Sequence, residues 1–359
     1  MAEGRLRRGY LDWLRGLAVL IMIEAHVLDS WTRFPDRETQ AFAWSMILGG
    51  MGAPLFLFLA GLSVAMSAGS KARRTGDPAV ASRAVVRRGL EIFGLAFLFR
   101  LQAWVLGWSS PRLLLKVDIL NIMGPSIMMA ATLWRLASSV PGRVAVFAVA
   151  TAAVAFLTPA LRGAAFFAAI PDPIEAYFRP AAGLSNFVFL PWAAFVFAGA
   201  ITGVLIDAAR TAAEEAKYAR WFAVAGALIA VIAFALSYLP SPFPNAYFWT
   251  TSPALLFLRV GIMTATIWVA YVWESRPGGA TTWSPVRQLG RTSLFIYWIH
   301  VEMVYGLISL PLHKSLSLGQ ALLGLVLFSL FMLICSIAKD RAVGWWRGRK
   351  AMRTTHSSV

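Results

Sequence analysis

Residues 11–26 read LDWLRGLAVLIMIEAH, an apolar run interrupted by Asp12, Arg15, Glu24 and His26. Ten residues separate Arg15 from His26. A helix turns ~100° and rises ~1.5 Å per residue, so His26 returns to within ~20° of Arg15 and ~16 Å further along the axis. Asp12 and Asp29 fall near that face, each three positions from Arg15 or His26, whereas Glu24 falls roughly opposite. A charge at the centre of a membrane helix costs ~2.5–3.5 kcal/mol, so Arg15, Glu24 and His26 must face protein or water rather than lipid.

Working outward, apolar runs of comparable length recur along the chain, each long enough to cross a hydrocarbon core ~30 Å thick. Their windows give about ten spans: 11–31, 43–67, 85–107, 113–137, 143–160, 186–206, 219–238, 253–273, 288–310 and 318–338. The 359 residues are 58% hydrophobic, with a mean hydropathy of +0.66. The expected fold is therefore all-α, a polytopic integral membrane protein with about ten transmembrane helices. Span 85–107 is the most amphipathic, carrying Arg87, Arg88, Glu91, Arg100 and Gln102. Residues 161–185 and 239–252 are rich in proline and aromatics, which disfavours regular helix and suits a membrane interface.

The net charge of +16 would suggest nucleic acid in a soluble chain, but its basic residues crowd into alternate loops. Lysine and arginine crowd residues 5–8, 71–88 and 339–353, with smaller excesses near Arg135/Arg143 and Arg276/Arg287/Arg291. Segment 29–42 has three acids and two arginines, and 239–252 has no charge. This positive-inside pattern puts both termini in the cytoplasm, and cytoplasmic anchoring accounts for the charge without nucleic acid. A single membrane-embedded domain is expected over 1–359, with short cytoplasmic ends at 1–10 and 340–359. Cys335 is the only cysteine, the four histidines are scattered, and no metal site is expected. The glycines of GGMG (49–52) lack a phosphate-loop context and suit close helix packing.

Three further clusters carry polar chemistry. His300 sits in RTSLFIYWIHVEMVYG with Tyr297 one turn before it, as either a proton-relay partner, an acceptor anchor or a bond between helices. Asp118 and Asn121 share a face after Lys116, and Asp118 is expected to pair with Arg15 or Arg100. Arg259, entering the eighth span, either binds a phosphate or holds a carboxylate, the second being favoured. For His26, proton acceptance from a hydroxyl or amine, with Asp29 orienting the ring, stands against a structural pairing to a neighbouring helix.

Leu11-Asp12-x-x-Arg15-Gly16-Leu17-Ala18 followed by His26 resembles the opening of the transmembrane acyltransferase superfamily. Within that superfamily it more closely resembles bacterial relatives of the catalytic domain of heparan-α-glucosaminide N-acetyltransferase. Residues 186–203 (NFVFLPWAAFVFAGAITG), 250–261 (TTSPALLFLRVG) and 289–300 (LGRTSLFIYWIH) resemble the same group. The resemblance implies a multi-pass protein of a bacterial inner membrane that moves an acetyl or other acyl group from cytoplasmic acyl-CoA to a saccharide hydroxyl or amine outside. By it, His26 is the catalytic imidazole and Arg15 its motif partner near acetyl-CoA. Asp29 is the expected orienter and His300 an auxiliary or acceptor residue. The expected partners are the lipid bilayer, acyl-CoA and a glycan acceptor, with homo-oligomerisation left open. The rival reading is a non-catalytic transporter or flippase for a lipid-linked sugar, which also needs buried charges around a cavity.

Overall fold

The computed structural model describes residues 8–107, 110–181, 183–243, 246–279 and 282–356. Twelve longer helices follow one another: α1 Gly9–Trp31, α2 Gln40–Gly49, α3 Gly52–Thr75, α4 Pro78–Gly107, α5 Ile119–Arg135, α6 Val140–Arg162, α7 Phe189–Ala208, α8 Ala212–Leu236, α9 Pro253–Glu274, α10 Pro285–Arg291, α11 Ser293–Tyr305 and α12 Leu318–His356. Short helical turns fill several connections, and the described residues contain no β-strand, only two isolated bridges. The chain is an all-α, multi-pass membrane protein.

The ends of these helices are written locally. Asp118 and Thr211 open α5 and α8 through capping boxes with Asn121 and Glu214, so orphan N–H groups of each first turn are satisfied reciprocally. Ser139 and Ser284 accept from Gly142 and Arg287, with a proline in the first turn of each helix, where its missing N–H costs nothing. After α3 the chain turns at Gly76, whose φ of +70° suits a residue without a Cβ, and Pro78 restarts it.

Among the described residues, seven runs are long and apolar enough to cross a membrane: residues 40–75, α4, α6, α7, α8, α9 and the 318–347 part of α12. The other three expected spans fall on α1, α5 and the α10–α11 pair. Their shortfall has visible causes. The first carries Asp12, Arg15, Glu24 and Asp29; α5 has 17 residues; and the last is broken at Thr292. A break between α2 and α3 likewise divides the expected span 43–67.

Two compact units divide the chain, residues 1–52 with 277–359, and residues 53–276. In the first, α1 packs along α10, α11 and α12. Its crossing with α10 is made by glycines: a Cβ on Gly16 would lie 1.8 Å from the Val286 carbonyl oxygen, and one on Gly290 the same distance from that of Asp12. The GGMG glycines do comparable work, since a Cβ on Gly49 would meet Ala25 and Glu24 at 2.8 Å.

The second unit pairs α4 with α5, α6 with α7, and α8 with α9. Gly61 and Gly199 let α3 and α7 touch backbone to backbone. In its apolar window α7 is 67% buried against 22% for α8, so α7 is a central rod and α8 turns most of its surface to lipid. Arg73 of α3 grips Asp207 at the end of α7 with two bonds of 2.5 and 2.7 Å. Arg100 of the amphipathic α4 is buried against Asp118 at 2.6 Å, which decides between the two partners expected for that carboxylate. Asn121 donates to the Tyr177 hydroxyl at 3.2 Å. Burial pushes the Tyr177 phenol above its ordinary pKa.

Candidate functional site

In the first unit an unbroken α1 carries Arg15 near one end and His26 near the other. His26 is half-buried, and its Nδ1 lies 2.9 Å from Nε2 of the fully buried His300. The rings are almost parallel, at 8°, with centroids 5.1 Å apart. With so short a nitrogen contact they meet edge to edge.

The protons on this pair follow from a third atom. His300 Nδ1 is 2.7 Å from the carbonyl oxygen of Ile296, which can only accept, so Nδ1 carries a proton. A neutral His300 then offers Nε2 as an acceptor, His26 donates through Nδ1, and the basic lone pair of a neutral His26 sits on Nε2. A helix carbonyl thereby sets the tautomer of an imidazole on another helix.

Tyr305 is T-shaped to the His26 ring, with centroids 5.5 Å apart, and its hydroxyl donates to Asp29 Oδ2 at 3.0 Å. The Asp29 carboxylate also takes Arg37 at 2.8 Å and has Lys314 Nζ at 3.8 Å. Through the Tyr305 hydroxyl this carboxylate is joined to the ring that edges His26. Burial lowers the pKa of the Lys314 amine, with Asp29 opposing and Arg37 adding to that shift.

The strap after α11 is tied back to α1. Lys314 N donates to Ser30 O at 2.9 Å, Leu316 N to Trp31 O at 3.0 Å, and Arg33 N to Leu316 O at 2.8 Å. Where α11 ends, the Val304 carbonyl collects donors from Ser30, Trp31 and Ser309, and His313 lies 3.1 Å away. His313, without a setting in the sequence, thus belongs to the clasp holding the end of α11.

Arg15 is bonded to Asp12 at 2.8 Å, with 31% of its side chain exposed. Below it, Gln288 donates to Ser336 and Asp340, and Thr292 shares a 2.6 Å bond with Ser336, closing a polar seam between α10 and α12. Glu24 is buried on another face of α1, with both carboxylate oxygens unbonded among the described residues.

The expected set therefore resolves into one joined pair, His26 with His300, one residue beside it, Asp29, and one apart, Arg15. Tyr305, Arg37, Lys314 and the Gln288 seam escaped the sequence reading. Tyr305 lies five residues from His300, a spacing that shares no helical face, and Lys314 reaches Asp29 across a chain reversal. Among the described residues no three His, Cys, Asp or Glu side chains gather as a metal set. Among the described residues Arg259 has no carboxylate partner, contrary to the favoured expectation: Asp207, Asp118 and Glu175 of its own unit pair with other arginines, and no acid lines its cavity.

Residues 7–233 match the family model described as heparan-alpha-glucosaminide N-acetyltransferase, catalytic. The match takes in Arg15, His26 and Asp29, while Arg259 and His300 lie beyond it. A comparison with curated proteins found no match.

Proposed function

This chain belongs to the family of the heparan-α-glucosaminide N-acetyltransferase catalytic domain, and we propose that it moves an acetyl group from cytoplasmic acetyl-CoA to a saccharide hydroxyl or amine on the outer side of the membrane. The observation that supports this most is the joined imidazole pair, which leaves His26 with a basic Nε2 on a half-buried ring. We read the whole of 1–359 as one acyltransferase domain of a bacterial inner membrane, both termini cytoplasmic. The alternation of basic loops supports that orientation.

His26 Nε2 takes the proton from the acceptor as the acceptor's oxygen or nitrogen attacks the thioester carbonyl. The new C–O or C–N bond forms, the C–S bond breaks, and His26 returns the proton to the departing thiolate. His300 holds the His26 ring in the reactive tautomer. Asp29 positions Tyr305, whose ring edges the imidazole. Arg15 is assigned to the coenzyme's phosphates: a guanidinium carries five donors in a fork, so it can bind phosphate while keeping Asp12. Direct transfer requires both substrates bound together; acetylation of His26 itself would instead give ping-pong kinetics.

The test uses the purified full chain in detergent with radiolabelled acetyl-CoA, an α-glucosaminide, and its N-acetylated counterpart to separate amine from hydroxyl acceptance. Label should enter the sugar, and His26→Ala should lower kcat by at least ~10²-fold. Full turnover by His26→Ala overturns the assignment. Sugar transport across vesicles with no thioester consumed supports a flippase instead.

A further inference from the structure

A second site lies wholly within residues 53–276. The last residue of α6, Arg162, and Arg259 in the second turn of α9 line one half-enclosed cavity of about 230 Å³. Both side chains are half-buried, and neither makes a side-chain hydrogen bond or ion pair among the described residues. Among the described residues no carboxylate lines the cavity. Its walls are aromatic and amide: Phe187, Trp192, Trp249 and Asn186. Phe187 and Trp192 brace each other edge to face at 4.7 Å. Arg162 also borders a wider, open cleft of about 500 Å³ lined by Asp172 and by Glu175, the latter occupied by Arg179.

Two half-buried arginines lining one pocket lose hydration, a cost that proteins ordinarily offset with a carboxylate. Within this cavity no described residue supplies one, so for Arg259 the compensating charge has to arrive with a ligand, while Arg162 stands between the cavity and the cleft of Asp172. Guanidinium forks match the paired oxygens of phosphate and carboxylate. Flat indole faces suit the C–H face of a pyranose, and a lone amide suits its hydroxyls. The volume admits one sugar ring with a charged substituent, whereas a lipid tail needs no such cavity.

The position within this unit agrees. Arg143 in the first turn of α6 sits in the field of Arg73 and Asp207, at the basic end of the unit, and Arg162 closes the other end of the same helix. With the basic end cytoplasmic, the cavity opens on the side where an acceptor arrives. We propose that this cavity binds a sugar bearing a phosphate or a carboxylate, held by Arg162 and Arg259 through its anionic group and by Trp192 and Trp249 through its ring. Identifying that sugar with the acceptor rests on the acyltransferase reading; the binding itself does not.

Calorimetric titration of the detergent-purified full chain, without acetyl-CoA, tests it. The probes are glucose 6-phosphate, glucuronate, glucose, inorganic phosphate and glycerol phosphate, the last standing for a lipid headgroup. Both acidic sugars should bind at least ~10-fold tighter than glucose, because charge-assisted hydrogen bonds add to the contacts of the ring. Arg162→Gln and Arg259→Gln should each weaken the acidic sugars ~10-fold or more and leave glucose unchanged. Trp249→Ala should weaken charged and uncharged sugars alike. Should either glutamine variant fail to give a monodisperse protein, Arg→Lys at the same position keeps the charge, and intermediate affinity is expected. Absence of acidic-sugar binding to the wild type overturns the proposal, as does wild-type affinity in both arginine variants. Equal affinity for inorganic phosphate or glycerol phosphate removes the sugar and leaves an anion or lipid site. Acetyl transfer is assayed separately: binding without transfer refutes the acyltransferase reading alone, and transfer without binding refutes this site alone.

Discussion

Replacing His300 by leucine takes away the acceptor of the His26 Nδ1–H bond while leaving a side chain of similar bulk in a fully buried position. Ile296 loses little, because its carbonyl lies in the helical ladder and keeps its backbone partner. The loss falls on His26. An imidazole N–H left without its partner costs ~1–3 kcal/mol, and each 1.4 kcal/mol is about tenfold, so the tautomer with a basic Nε2 should become ~5- to 150-fold scarcer. Glutamine is the discriminating control. Its carbonyl oxygen can reach the place of His300 Nε2 and accept from His26, yet it cannot take up or release a proton near neutrality.

The assay is steady-state acetyl transfer by wild-type, His300→Leu and His300→Gln proteins of matched elution volume on gel filtration. His300→Leu should lose kcat by the factor above with KM little altered, since the lost interaction orients the base and does not hold the substrate. His300→Gln should recover most of the loss. Nitrogen NMR of labelled histidine in the wild type should show the His26 proton on Nδ1. Undiminished kcat in His300→Leu would refute the reasoning. Equal loss in the leucine and glutamine variants would make His300 itself the proton carrier.

The other expectations concern what surrounds that pair. Asp29→Ala and Tyr305→Phe should each lower kcat by about tenfold, and the double variant by little more, because both break the 3.0 Å bond holding the Tyr305 ring against His26; multiplicative losses would separate the two residues. Gly16→Ala forces a methyl group into the Val286 carbonyl and should destabilise the protein by ~1–3 kcal/mol, seen as a lower melting temperature, whereas Gly344→Ala, with open space around it, should not. Asp36 has its pKa lowered by the Leu318 N–H and Arg33, so its contribution is complete at neutral pH and lost as pH falls below the ordinary carboxylate value; Asp36→Asn should flatten the acid limb of a melting profile, and an unchanged limb would contradict the bond.

Much of the helical architecture was legible because a bilayer allows few alternatives. Backbone groups in hydrocarbon must bond internally, so an apolar run of sufficient length is a helix and its ends show in the loop chemistry. The expected spans that became α6, α7 and α9 lie within three residues of the helix ends, whereas that of α8 starts seven residues late, past its charged first turns. The sequence reading failed where polar residues serve a site. The run from 288 to 310 looked like one rod but breaks at Thr292, whose hydroxyl turns to Ser336 on a helix far along the chain. The run at 43–67 hid the break at the GGMG glycines, where Gly49 and Gly52 bring the backbone against α1. Hydropathy averages over both events, because it sees composition and not partners.

The site divides by the same rule. Arg15 and His26 were found together because one helix's pitch relates them, and pitch is written in residue spacing. The join between His26 and His300 spans 274 positions, and no spacing within either segment encodes it. What the sequence offered was the cost of each residue alone: an imidazole in an apolar helix demands a partner, and two such helices each carried one. The same cost singled out Arg259, but there the expectation of a carboxylate assumed that the protein supplies every counter-charge. Where His26 and His300 satisfy each other, Arg162 and Arg259 face a shared cavity with no acid in its wall. An intramembrane charge thus points to a site in two ways: through the partner it holds, or through the partner that has to come from outside.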